Sequence, residues 1–214
     1  MFDFGSPDPI TLISILLAFA VGITIHEFCH AWSALLLGDD TAARQGRVTL
    51  NPLSHLDPIG SIGVLAIAVL GIGIGWGRPV PVNPARIRWK QRGLAITAVA
   101  GPVSNVVIAT IFVIPLRLID TTGVDPTIIT IATNMVLVNL LLASFNLIPI
   151  PPLDGHKILV GLLPNFWYPF LAPLERYGIG ILLVLIMSSF IFGGSILFEM
   201  YSPVYNALRS LMLG

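Results

Sequence analysis

From about Ile10 to Leu37 the chain runs for roughly 28 residues with a single carboxylate, Glu27, and no Lys or Arg; about 20 apolar residues are enough for a helix to cross hydrocarbon. Such a run has no polar face to turn toward water, so a lipid bilayer is its expected surroundings. Much of the chain is alike: of 214 residues, 55% are hydrophobic and 10% charged, well outside the composition of ordinary soluble domains. Eleven basic residues balance eleven acidic ones, so charge gives no reason to expect a nucleic-acid partner. The one cysteine, Cys29, excludes an intramolecular disulfide. The opening MFDFGSPDPI lacks a basic n-region and a small-residue cleavage site, so the first apolar run is expected to be a retained span.

After Leu37 the stretch GDDTAARQGRVTLNPLSHLDP reads as a loop from its Gly, Asp, Asn and Pro content, with a short strand conceivable at RVTL. Ile59 to about Trp76 is apolar again but carries Gly60, Gly63, Gly71, Gly73 and Gly75. It reads as a thin span, a re-entrant segment or an irregular element buried by protein. The next segment holds Arg78, Arg86, Arg88, Lys90 and Arg92, a concentration of positive charge that marks the cytoplasmic side. Leu94 to Leu118 is then expected to span outward and Thr127 to about Ile148 to return. An apolar piece from Ile158 to Leu163 and a last span from about Tyr177 to Phe198 follow. With an acidic start outside, parity favours the re-entrant reading for the glycine-rich segment. The expected fold is an all-α polytopic membrane protein, a single domain over residues 1–214 with about 4–6 transmembrane helices. A small β element or re-entrant segment is expected near residues 46–84.

Within the first span lies HEFCH. His26 and His30 are four residues apart and share one helix face, with Glu27 beside them. Two imidazoles at that spacing can each give a nitrogen to zinc, and the neighbouring carboxylate can take a proton from a water attacking a carbonyl. An ionisable group at mid-span costs roughly 2.5–3.5 kcal/mol on insertion scales and calls for a partner; a divalent cation is one. The blander alternative is that these groups only hydrogen-bond neighbouring helices. A zinc hydrolase needs a third protein ligand, and the best remaining candidate is Asp154 in NLIPIPPLDGHK, at the inner end of a returning span and so at matching depth. Pro149, Pro151 and Pro152 prevent a regular helix there, a break tolerated at membrane depth where it lines a cavity or packs on protein. Asp154 also reads as a helix cap.

HEFCH in a transmembrane run, AGPVSN (Ala100 to Asn105) in a later one and FNLIPIPPLDG (Phe145 to Gly155) after that resemble the site-2 protease family, the M50 metallopeptidases. The motifs come in that family's order over about 130 residues. NPLSHLDPIG and GRPVPVNP further resemble a compact prokaryotic branch without a PDZ or CBS domain. The resemblance implies hydrolysis of peptide bonds in or near transmembrane segments of other proteins, using one zinc ion. Carried over by motif, His26, His30 and Asp154 are ligands, Glu27 is the catalytic base, and Asn146 helps hold the substrate strand or the oxyanion. The expected location is a prokaryotic cell membrane with the site toward the cytoplasm. A metal-binding membrane transporter and a catalytically inactive binder of membrane helices are the alternatives; the first would need a second polar site, and the second has no use for Glu27.

Other residues have weaker claims. His55 is an auxiliary candidate, as a regulatory ligand or transition-state donor, against the plainer reading of a structural loop histidine. His156 and Cys29 are more readily structural. Asn105 and Asn139, inside spans, are expected to form interhelical hydrogen bonds, and Gly101 to permit close helix approach. RVTLNP and RPVPVNP are candidates to pair as short strands, and Val80 and Val82 are placed on an edge that accepts an unwound substrate.

Overall fold

The computed structural model describes residues 8–70, 75–120, 122–192 and 196–214. The opening residues 1–7 and the glycines at 71 and 73 lie outside them. Helix α1 (Pro9–Leu36) begins where the Asp8 carboxylate accepts the N–H groups of Ile10 and Thr11 and Pro9 fills the first turn, a position where its missing donor costs nothing. Along α1, Ser14, Ala18, Gly22, His26, His30 and Ala34 are all buried. Their four-residue spacing makes one stripe of mostly small side chains, which lets other helices approach closely.

Two further long helices close on that stripe: α4 (Gln91–Leu118) and α5 (Pro126–Asn146), the latter capped by Asp125. Helices α1, α4 and α5 pack pairwise against each other, and a Cβ on Gly22 would meet the Asn139 side chain at 2.7 Å. Outward from these helices, large apolar side chains such as Ile13, Val107 and Ile111 stay at least half exposed. An apolar exterior around a polar interior suits hydrocarbon and not water. With α7 (Tyr168–Phe192), four helices are long and apolar enough to cross a membrane. The fold is thus an all-α polytopic bundle.

The glycine-rich stretch resolves as α3 (Pro58–Leu70), whose 13 residues reach only about 20 Å. The chain then returns to where it entered. A Cβ on Gly60 would lie 2.0 Å from the Trp76 carbonyl oxygen, and Leu56 and Gly77 form an isolated antiparallel bridge. Both ends of residues 58–76 therefore lie together, as a re-entrant segment requires. Among the described residues there is no strand, and RVTLNP and RPVPVNP do not pair as expected; the bridge lies outside both, at Leu56 and Gly77. Three prolines (Pro79, Pro81, Pro84) leave the second segment too few donors for a ladder.

The last predicted span is corrected as well. Tyr177–Phe198 divides into α7 and a separate α8 (Ile196–Leu213), which packs Tyr205, Leu208 and Met212 against Ala109, Val113 and Val136. Between α5 and α7, α6 (Asp154–Leu162) lies along the start of α4, where Gly161 meets Ala95 and Gln91.

At the end of α1 that faces the start of α4, polar groups fix the chain. Helix α2 (Thr41–Arg44) follows two acids. Asp39, fully buried, accepts from the Thr41 and Asn83 main-chain N–H groups at 3.0 and 2.6 Å and from the Thr41 hydroxyl at 2.5 Å. Asp40 pairs with Arg44 and with Arg86 at 2.6 Å. Burial pushes the Asp39 carboxyl up, but the Thr41 hydroxyl and the Asn83 and Thr41 N–H groups outweigh it and hold it below the usual carboxylate range. A carboxylate with a folded pKa below its unfolded one stabilises the fold above the unfolded value, about pH 4, and loses that effect as pH falls through the folded value. The melting-temperature difference between wild type and Asp39→Asn is therefore expected to be positive near pH 6–7 and to shrink below roughly pH 4; a pH-independent difference would assign it to packing instead.

Candidate metal centre

Helices α1 and α4 bring the site together about 15 Å from their shared end, since His26 and Gly101 each lie ten residues from a terminus, Leu36 and Gln91. His26 and His30 both turn Nε2 toward Asp154, the first residue of α6. His26 Nε2 and His30 Nε2 each lie 3.0 Å from Asp154 Oδ2 and 3.0 Å from one another. Asp154 thus sits at the start of its helix but caps nothing; its carboxylate is directed at the histidines, and its other oxygen lies 3.3 Å from Lys157 Nζ. All three side chains are buried. Among the described residues they form the one group of His, Cys, Asp or Glu placed to hold a metal ion.

The partners of the two Nδ1 atoms decide what this triangle can hold. His30 Nδ1 lies 2.7 Å from the Thr97 carbonyl, which can only accept, so Nδ1 carries the proton. His26 Nδ1 lies 2.6 Å from Asn105 Oδ1. The Asn105 amide is oriented by its Nδ2, which donates to the Gly22 carbonyl at 3.2 Å and to Asn139 Oδ1 at 2.9 Å; Asn139 in turn donates to the Met135 carbonyl at 2.8 Å. His26 Nδ1 is therefore also a donor. Both Nε2 atoms then present lone pairs toward a carboxylate oxygen. One added proton could serve only one edge of the triangle, whereas a divalent cation serves all three corners, so the residues fit a metal. Two imidazoles and one carboxylate are a usual set for zinc, with the fourth position left for water or substrate.

Gly101 lets α4 come this close, since a Cβ there would lie 2.5 Å from the Nε2 of both histidines. Glu27, one residue on from His26 and buried, does not join the triangle; its Oε2 accepts the Val80 main-chain N–H at 2.9 Å.

A Bacillus subtilis protein named "Putative zinc metalloprotease YwhC" is 36% identical to this chain over 213 residues, covering 96% of this chain and 92% of that one. The chain belongs to this family of zinc metalloproteases. "Putative zinc metalloprotease Rip2" of Mycolicibacterium smegmatis is 31% identical over 182 residues and that of Mycobacterium tuberculosis 30% over 181, each covering 82% of this chain and 67% of the relative. No protein-family model matches the metalloprotease, and no solved structure does.

Other candidates fall outside the metalloprotease's triangle. His55 is fully buried, its Nε2 2.7 Å from the Thr49 carbonyl and its own carbonyl accepting the Arg78 N–H at 2.7 Å. His156 lies 3.4 Å from Glu175 of α7. Asn146 donates to the Leu142 carbonyl of its own helix at 3.0 Å. Val80 and Val82 are half-buried on an extended segment. Sequence reasoning expected Asn105 and Asn139 to join helices but missed that Asn105 holds His26 Nδ1, and it missed the Thr97 carbonyl, which has no side-chain signature. Partners of this kind set both tautomer and basicity. Asn105→Leu is expected to weaken zinc binding about 10- to 100-fold, measured by chelator competition; an unchanged affinity would show that His26 needs no orienting partner.

Proposed function

We propose that this metalloprotease is an intramembrane endopeptidase of the site-2 type, cutting peptide bonds in or near transmembrane segments of other membrane proteins with one zinc ion. The observation that carries the reading is depth. His26, Glu27 and His30 lie on a helix long enough to cross a bilayer, about 9–15 Å from its end, where a soluble substrate has no access and a membrane helix does.

A bound zinc would polarise the scissile carbonyl and make water acidic enough to attack at neutral pH. Glu27 takes the proton from that water and passes it to the leaving amine. Asn105 and Thr97 keep both imidazoles in the ligating tautomer. A helix must unwind before its peptide bond can reach the site, and the extended Arg78–Asn83 segment supports an unwound strand: Pro79 and Pro81 offer carbonyls without competing donors, with Val80 and Val82 as the apolar surface. Asn146, the last residue of α5, keeps one amide hydrogen and a carbonyl oxygen for the substrate backbone. Arg86, Arg88 and Lys90 are exposed at the shared end of α1 and α4, which supports a cytoplasmic orientation in a prokaryotic cell membrane. Metal transport would need a further polar relay, and the described residues contain no second ligand group.

Purified protein in detergent is expected to cleave a single-pass test substrate within or beside its transmembrane segment. A chelator should stop the cleavage and added zinc restore it. Cleavage confined to soluble loops would count against intramembrane action, and cleavage that persists with a metal-free protein would remove zinc from the reaction.

A further inference from the structure

Between α3 and α4, residues 77–88 run back toward the end of α1 and are tied at several points to the loop that follows it, residues 37–55. The Arg78 N–H donates to the His55 carbonyl at 2.7 Å, and the Arg88 N–H to the Leu37 carbonyl at 2.8 Å. The buried Arg47 guanidinium donates through Nη2 to the Arg78 carbonyl. The Asn83 N–H is held by Asp39 at 2.6 Å. Inside these anchors Pro79 and Pro81 carry no N–H, and the Val80 N–H between them meets Glu27 Oε2 at 2.9 Å. The donor therefore sits on a segment fixed on both sides, and its acceptor is the proposed base.

We propose that the Val80 main-chain N–H positions Glu27 for proton transfer, and that Asp39 and Arg47 act on the reaction from outside the metal centre by holding this strap in place. A glutamate side chain has three rotatable bonds, so a base that must meet one water in one orientation needs an external constraint. With Oε2 fixed on an immobile N–H, Oε1 is left in a defined direction for the proton. Asp39, twelve residues beyond Glu27 along the chain and about 18 Å away if the helical rise is extended to it, is thereby linked to the base through the strap. The inference rests on Glu27 being the base, as proposed above.

The test compares Val80→Pro, which keeps extended backbone and lacks the N–H, with Val80→Ala, which keeps the N–H. Asp39→Asn loosens the anchor. Val80→Ala serves as the reference, since it shares with Val80→Pro the loss of the valine side chain from the proposed substrate surface. Val80→Pro is expected to lower kcat about 10- to 100-fold relative to Val80→Ala, with equal KM and zinc content. Asp39→Asn is expected to show a smaller fall in kcat of the same kind. A merely structural role would instead change KM, zinc content or folded yield together.

A second measurement needs no substrate and stands even where Val80→Pro fails to fold. In the zinc-loaded full chain, amide exchange of the peptide spanning residues 77–83 is expected to speed up at least several-fold in Glu27→Ala, with the rest of α1 unchanged. Equal exchange in wild type and Glu27→Ala, or kcat of Val80→Pro matching that of Val80→Ala, would overturn the proposal. Exchange that responds while no variant or wild type cuts anything would uphold the contact and leave the fault with the proposed reaction.

Discussion

Glu27→Gln is expected to keep its zinc and lose cleavage by about 10²- to 10⁴-fold, the range that a general base contributes. The reasoning separates two functions that HEFCH places side by side. On the proposed reading zinc is held by His26, His30 and Asp154, whose candidate ligand atoms converge at 3.0 Å. Glu27 faces the strap instead, accepting from the Val80 N–H at 2.9 Å. Glutamine has the same shape, and its amide oxygen can still accept that N–H, so the strap and the triangle are expected to stay in place while the proton acceptor disappears. Metal content measured alongside cleavage of a single-pass substrate checks this. A variant that cuts within tenfold of wild type would show that the water loses its proton elsewhere, and one that loses zinc would make Glu27 a structural support of the metal centre.

Much of this arrangement could be read from the sequence because the bilayer makes the code strict. Three of the four expected spans lie within about three residues of α1, α4 and α5, since long apolar runs have few other fates in lipid. The fourth was misjudged because hydropathy averages over Tyr177–Phe198, whereas the run of Gly193, Gly194 and Ser195 within it is a turn signal that follows directly on the end of α7 at Phe192. The convergence of His26, His30 and Asp154 was legible for a similar reason: they are titratable groups where such groups are costly, and cost implies a partner. His55 was harder to place, because a histidine in a loop looks the same whether it reaches metal or, as here, the Thr49 carbonyl. The glycine-rich segment was ambiguous by composition and is decided by packing, with Gly60 against the Trp76 carbonyl. The contacts of the Thr97 carbonyl with His30 and of the Val80 N–H with Glu27 were beyond reading, because both groups belong to the backbone and every residue has them.

Gly101→Ala is expected to be the most damaging single methyl group in the protein for zinc binding. Its Cβ would lie 2.5 Å from Nε2 of both His26 and His30, far inside van der Waals contact, and neither imidazole has a simple retreat. Rotating His30 breaks its bond to the Thr97 carbonyl at 2.7 Å, and rotating His26 breaks the one to Asn105 at 2.6 Å. The alternative is for α4 to withdraw from α1, which would pull Asn105 away from His26 Nδ1 and from the Gly22 carbonyl. Helix propensity points the other way, because alanine favours a helix over glycine by about 1 kcal/mol, so a loss of function cannot be ascribed to a weakened α4. Zinc affinity is expected to fall more than 100-fold, exceeding the loss of one orienting hydrogen bond, while the metal-free protein melts close to the metal-free wild type. Chelator competition and melting in the presence of chelator read the two effects separately. Affinity retained within threefold would mean that α4 can move away from the histidines at little cost, and the site would then be held by α1 and α6 alone.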